Sequence, residues 1–333
     1  MPRYGGRMNE AAVNLSSEES VETAMREQLV AGDAALGTIV PILRHLLAND
    51  DHSVFSDEII ARVRGMFADV ARQLLDAAAQ ASGASDDVVH DAARDPARLN
   101  ALAASISESP PFLGHVHAVA LEGQLTERLQ TRLALDPVLS PLLQALIASA
   151  DGETAGTAMK LLASQARFVQ SQRRMRLPLS ELPGDLLHGA LLAMRTHAGE
   201  EAAADCAAAQ AEAAIRASFD EARSRGGLIA RLVTGMGGGA VAALSLTHAG
   251  VAIFLTALAF ATGQDRDLAV LSTNEGQLAR LALALRAAGL KSSAIEEQFL
   301  ALHPDAALPA GLARMGADRA AAILSQSGGW PVH

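Results

Sequence analysis

The chain is short of cysteine and of aromatic rings. Among 333 residues there is one Cys, one Trp and one Tyr, and aromatics make up 3% of the whole. A single thiol, Cys206, excludes an intramolecular disulfide and suits a reducing compartment, so a cytoplasmic location is expected. The shortage of rings excludes a core of stacked aromatics. The hydrophobic half of the composition (50%) must therefore be built from Leu, Ala, Val, Ile and Met. Ala and Leu are the strongest helix formers, and small aliphatic side chains let helices approach closely. A strand-rich protein would carry more Tyr, Trp, Thr and Ile, and no segment alternates with period two between turn residues. Positive charge is also scarce. The formal net charge is −10, which repels phosphate backbones and excludes general nucleic-acid binding. The N-terminal residues Met1 to Arg7 lead into Glu18, Glu19 and Glu22 with no apolar stretch between, so no signal peptide is expected.

Charge of either sign is missing from Leu232 to Gln264, a run long enough to span a bilayer and preceded by Arg223, Arg225 and Arg231. Gly235 and Gly237–Gly239 break a helix at its start, His248-Ala249-Gly250 interrupts it again, and much of it is weakly hydrophobic Ala. Two short buried helices with a turn near Gly250 are expected here, and no membrane span.

What the sequence does contain is helix punctuation. Residues 1–19 are expected to form a mobile tail, followed by a helix from Ser20 toward Leu47. Ile59, Ile60, Val63, Met66, Phe67, Val70 and Leu74 recur at helical spacing as one apolar stripe. Asp95-Pro96 and Asp136-Pro137 each pair a capping side chain with proline at the first helical position. Pro110-Pro111 and Asp151 mark further starts. The connector Leu177–Gly184, bracketed by Pro178 and Pro183, is expected to divide an N-terminal helical domain (20–177) from a C-terminal one (178–333). The second half alternates short helices with short breaks, Gly289 sitting where a left-handed terminal residue belongs. The fold class predicted is all-α, an irregular helical array of antiparallel pairs in the manner of a HEAT-like α-solenoid, with no strict sequence repeat.

The best metal-like cluster is Asp86-Asp87-Val88-Val89-His90-Asp91. On a helix, Asp86 and His90 share a face, as do Asp87 and Asp91, and carboxylate with imidazole suits a divalent ion. The order brushes the Asp-rich magnesium motif of prenyl-chain synthases, but His90 stands at the third Asp and no second Asp-rich motif occurs. It brushes the His-Asp pair of metal-dependent phosphohydrolases as well, whose further ligands one sequence does not establish. The plainer reading is an acidic first turn favoured by the helix dipole, with no metal or cofactor bound. His115 and His117, two apart on a helix, point to different faces. Gly235–Gly239 lacks the Lys and Ser/Thr of a phosphate loop. Cys206, beside Asp205 in an Ala-rich run, is expected to be buried or inert. Arg167, Arg173, Arg174 and Arg176 form the one notable basic surface. It suits an acidic protein partner or a phosphate, or else it is positive charge answering a helix C-terminus.

Residues 245–290 contain Gly250, Phe254, Leu258-Ala259, Gly263, Arg266, Leu271 and the closing Leu285-Arg286-Ala287-Ala288-Gly289-Leu290. This segment resembles the C-terminal part of a bacterial helical family catalogued as domain of unknown function 2336. The resemblance implies a HEAT-like cytoplasmic fold and brings no catalytic residues. With no assembled catalytic set, the expected function is a helical-repeat interaction, scaffold or regulatory protein with a protein partner. The alternative is a metal-dependent hydrolase using Asp87, His90 and Asp91.

Overall fold

A computed structural model describes residues 6–48, 58–83, 95–198, 202–308 and 311–327, with side chains described from Val21 onward apart from Ala48. Among these residues the fold is all-α, without a strand. The first helix, α1 (Gly6–Ala48), begins well before Ser20, the start expected from the sequence. No proline or glycine lies between Arg7 and Ser20 to stop it.

The apolar stripe forms one face of α2 (Glu58–Ala81), where Val63, Met66, Val70 and Leu74 are wholly buried. In α3 (Pro96–Ser107) the Asp95 carboxylate accepts from the Ala97 N–H at 3.0 Å, as the cap-plus-proline pattern predicts. The two prolines open α4 (Pro110–Leu133). The other such pattern behaves differently. Asp136 accepts from the Val138 and Leu139 N–H groups in a turn, and Ser140 caps the helix, α5 (Pro141–Ile147). Asp151 caps α6 (Gly152–Arg173) through Thr154. Then come α7 (Gly184–Ala198), α8 (Ala202–Ser218) and α9 (Arg225–Gly235). The pattern of apolar residues did not indicate α9.

The uncharged run holds the end of α9, a 3-10 helix (Gly237–Leu244), α10 (Leu246–Ala249) and α11 (Val251–Thr262). The longest helix in it has 12 residues, and Val251 through Ala259 are all buried. Gly250 at φ 75° supplies the expected turn. The chain ends with α12 (Arg266–Leu271), α13 (Leu278–Ala287), α14 (Ser292–Leu302) and α15 (Ala317–Ser325).

Packing is not confined to chain neighbours, as it would be in a strict solenoid. α2 packs on α8, α1 on α13, and α4 on both α11 and α12. The interior forms two apolar clusters, and both take residues from either side of the Leu177–Pro178 junction. One centres on α11 and α13, the other on α2. Helix α1 enters the first through Met25 and Leu29, and the second through Leu36, Val40 and Leu43.

Candidate functional site: an acid-rimmed cleft over a buried ion-pair triad

Helix α4 places His115, Val119 and Glu122 on one face, at the i, i+4, i+7 spacing of a helical stripe. Glu122 is 1% exposed, and two arginines from distant parts of the chain meet it there. Arg225 approaches as a fork, Nη1 donating to Oε1 at 2.7 Å and Nη2 to Oε2 at 3.0 Å. Arg266 donates from Nη2 to Oε1 at 2.9 Å and from Nε to the Thr256 hydroxyl at 3.0 Å. The Arg225 guanidinium also lies 3.5 Å over the Phe168 ring, a cation–π contact in a dry setting. Burial alone would raise the Glu122 pKa. Arg225 and then Arg266 overcome that and hold the carboxyl far below its usual range, so it stays charged.

Two tight turns set the arginines in place. Ser224 caps α9 by accepting from the Gly227 N–H at 3.1 Å, which puts Arg225 at the first helical position. The preceding 3-10 turn (Glu221–Arg223) lies so close that a Cβ on Gly227 would sit 2.3 Å from the Glu221 carbonyl oxygen. Gly263, at φ 65°, ends α11, and Asp265 begins α12 by accepting from the Asp267 N–H at 2.7 Å. This turn sets Arg266 beside Asp267, whose Oδ2 is 2.8 Å from His115 Nδ1. Burial would lower the His115 pKa, but the Asp267 carboxylate outweighs it and the ring titrates above its ordinary value. Asp265 is raised, first by burial and then by Asp267.

Above the triad opens a cleft of about 620 Å³. Its walls mix apolar groups (Val119, Phe168, Leu182, Phe260) with four carboxylates, Glu181, Glu221, Asp265 and Asp267. The two arginines in the wall are committed to Glu122, and the Arg225 peptide N–H donates to Glu181 Oε2 at 2.8 Å. The charge left for a ligand is therefore negative. Phe260 is 56% exposed at the mouth, and the buried Gln264 Oε1 has no hydrogen-bond partner among the described residues. A His-Asp pair is a unit of proton transfer, but no hydroxyl or thiol hydrogen-bonds the His115 ring among the described residues.

The sequence-predicted residues fare unequally. Asp87, His90 and Asp91 lie outside the described residues, within which no group of three or more His, Cys, Asp or Glu side chains is placed to hold a metal. Arg167, Arg174 and Arg176 line a shallow cleft of about 250 Å³ at the end of α6, while Arg173 is exposed outside it. Arg176 also lies 3.9 Å from the Asp69 carboxylate. This basic cleft shares Phe168 and Glu181 with the larger one, so the two surfaces are continuous. His115 and His117 part as expected, the former to Asp267 and the latter into the interior. Cys206 is exposed, so of the expected buried or inert thiol the buried alternative falls. Glu122, Arg225, Arg266 and Asp267 carried no local signal: the partners lie about a hundred positions or more apart, and charges spaced so widely form no motif.

The molecule is thus an all-α array with a ligand-sized cleft set over a buried ion-pair triad. The chain matches no protein-family model, no curated protein and no solved structure.

Proposed function

We propose that this is a non-catalytic interaction protein that holds one partner across the acid-rimmed cleft and the adjoining arginine surface. The observation that carries the reading is the continuity of the two clefts through Phe168 and Glu181. A partner suited to them places an apolar side chain against Phe260 and Phe168, a cationic group toward Asp265 and Glu221, and an acidic stretch along Arg167, Arg174 and Arg176. Opposite potentials side by side fix the direction in which such a segment lies. Membership of the helical family catalogued as domain of unknown function 2336 belongs to the same proposal. In its support, Gly250, Gly263 and Gly289, all in the resembling segment, occupy positive-φ turns that glycine favours.

Affinity capture from the native organism tests the reading, run in parallel with wild type, Phe260→Asp, Arg174→Glu and Leu300→Asp. Leu300 is exposed and outside both clefts. A protein retained by wild type and by Leu300→Asp but lost from both cleft variants is the expected result. A partner set unchanged by both cleft variants overturns the proposal.

A further inference from the structure

The opposite side of α4 carries a second, differently charged cleft. Its volume is about 580 Å³, and it is walled by Gln124, Glu127, Arg128, Thr131 and Arg132 of α4 and by Thr273 and Asn274, which follow α12. Arg128 and Arg132 are one helical turn apart, an i, i+4 pair of like charges that disfavours the helix. Neither makes an ion pair within 4.0 Å among the described residues. The one acid in this wall, Glu127, faces away to Arg62 at 2.5 Å, an arginine that it shares with Glu58. Glu275 attracts Arg128 without closing a salt bridge. The helix dipole accounts for Arg132 in the last turn of α4 but not for Arg128, which precedes that turn.

A second observation comes from behind the cleft wall. His303 is 5% exposed, and its ring hydrogen-bonds the main chain of Thr273. Its Nε2 is buried with no partner among the described residues. Both Arg128 and Arg132 act on this ring electrostatically, so it lies within the field of the pair. Burial lowers the His303 pKa and Arg128 adds to it; for Arg128 itself, burial and then Arg132 act in the same direction. His303 and Arg128 are thus held toward neutrality first by burial and then by neighbouring positive charge, against the weaker pull of Glu275. The Thr131 and Thr273 hydroxyls already donate to the Glu127 and Val270 carbonyls. That leaves the two guanidinium forks and the Gln124 and Asn274 amides as donors, above an apolar floor at Leu121 and Leu125.

We infer that this cleft binds a phosphate monoester, its dianionic head held by Arg128 and Arg132 and its organic body lying on Leu121 and Leu125. Planar forks match phosphate oxygens in pairs, and a dianion answers two cations where a single carboxylate answers one. The cleft is larger than inorganic phosphate alone requires, which is why an ester with an apolar body is assigned. The site is separate from the acid-rimmed cleft, so either proposal stands if the other fails.

The test is calorimetric titration of the full chain at constant ionic strength with inorganic phosphate, with phenyl phosphate and with vesicles containing phosphatidic acid. Wild type should bind phenyl phosphate more tightly than inorganic phosphate. Arg128→Gln and Arg132→Gln should each weaken binding about tenfold or more, the loss of a charge-assisted contact. Arg174→Gln, in the other basic cleft, should leave it unchanged. Relief of the i, i+4 repulsion should leave unliganded Arg128→Gln melting no lower than wild type, so that lost binding is not lost folding. Binding to vesicles with no response to phenyl phosphate would assign the phosphate to a lipid headgroup, provided the Arg128 and Arg132 variants abolish it. No binding of any probe, or binding indifferent to both variants, overturns the inference.

Discussion

Glu122 is the residue on which the acid-rimmed cleft depends. Its one carboxylate bridges two guanidinium groups at a site where Glu122 itself is shut off from water. A buried ion pair adds little compared with an apolar substitute, but removing one partner strands the other's charge. Glu122→Ala should therefore cost about 3–5 kcal/mol, read from the midpoint of chemical unfolding. An unchanged midpoint would mean that the triad is not closed in solution. Phe254 makes the complementary case without charge. It is 0% exposed at the end of the first turn of α11, and Phe254→Ala should cost roughly 3–5 kcal/mol through lost burial and the cavity left behind. Gly227→Ala is a backbone test. The added methyl meets a carbonyl oxygen that belongs to a packed turn, so the first turn of α9 must shift and carry Arg225 with it. Its signature should be partial loss of the Glu122 contact, so combining it with Glu122→Ala should cost less than the two changes added separately.

At the scale of elements, α4 is the member that both clefts share, and its opposite faces carry opposite chemistry. His115 and Glu122 face the acidic cleft, while Arg128 and Arg132 face the basic one. The His115–Asp267 pair fastens α4 to α12, and its pH dependence has a definite sign. The groups acting on the ring are Asp267, Asp265 and Arg266. Because the folded-state pKa lies above the ordinary 6.5, the native state holds the proton more tightly than the unfolded chain does. The stabilisation is fully present below that ordinary value and is lost as pH rises through the raised one. Wild type should exceed His115→Asn in stability most on the acid side of 6.5, the gap narrowing toward alkaline pH. A gap that widens with pH would remove the charged pair. His303 runs the other way. Its lowered pKa makes the buried neutral ring cost stability as pH falls, so the two histidines are separated by variants and not by the wild-type profile.

The element scale also explains what was legible in advance. Capping is local chemistry, so Asp95-Pro96, Asp151 and Gly289 announced their helix ends within a few residues. The stripe on α2 was equally legible because burial on one face leaves a period in the sequence. Helix α9 was not. Gly226 and Gly227 open it and Gly235 closes it, a composition that reads as a break, and its stability comes from packing on α6 and α11. The site was mostly illegible for the same reason. The arginines of residues 167–176 show as a cluster because they are neighbours in the chain, whereas Glu122, Arg225 and Arg266 become neighbours only after folding. The solenoid rhythm was read from break spacing, which reports helix lengths and says nothing of which helices then touch.

For the whole molecule the decisive element is α1. By length and composition its Val21–Leu47 portion is the one helix among the described residues long and apolar enough to cross a membrane, and 28% of its apolar window is buried. Its inner face joins both apolar clusters, and its polar groups are tied to the far end of the chain. Asp33 pairs with the wholly buried Arg280, Gln277 donates to the Gly32 carbonyl at 2.7 Å, and Arg319 reaches Glu22 at 2.6 Å. All but two of the 27 basic residues are arginine, and here, as at Glu122, arginine supplies the long-range tie. Moving α1 into a bilayer would strand Arg280 and place Asp33 in hydrocarbon, a cost of about 2.5–3.5 kcal/mol for the aspartate alone. The docked state should therefore hold in the absence of detergent, with wild type staying in the supernatant after ultracentrifugation. Asp33→Ala should lower stability by about 3–5 kcal/mol, since it leaves the Arg280 charge buried and unanswered. Adding Arg280→Met to that variant should recover much of the loss, because the second change removes the stranded charge while keeping an apolar stem in the core. Asp33→Ala with no effect on unfolding, together with recovery of wild type only from a detergent extract, would show that α1 lies elsewhere than against this body.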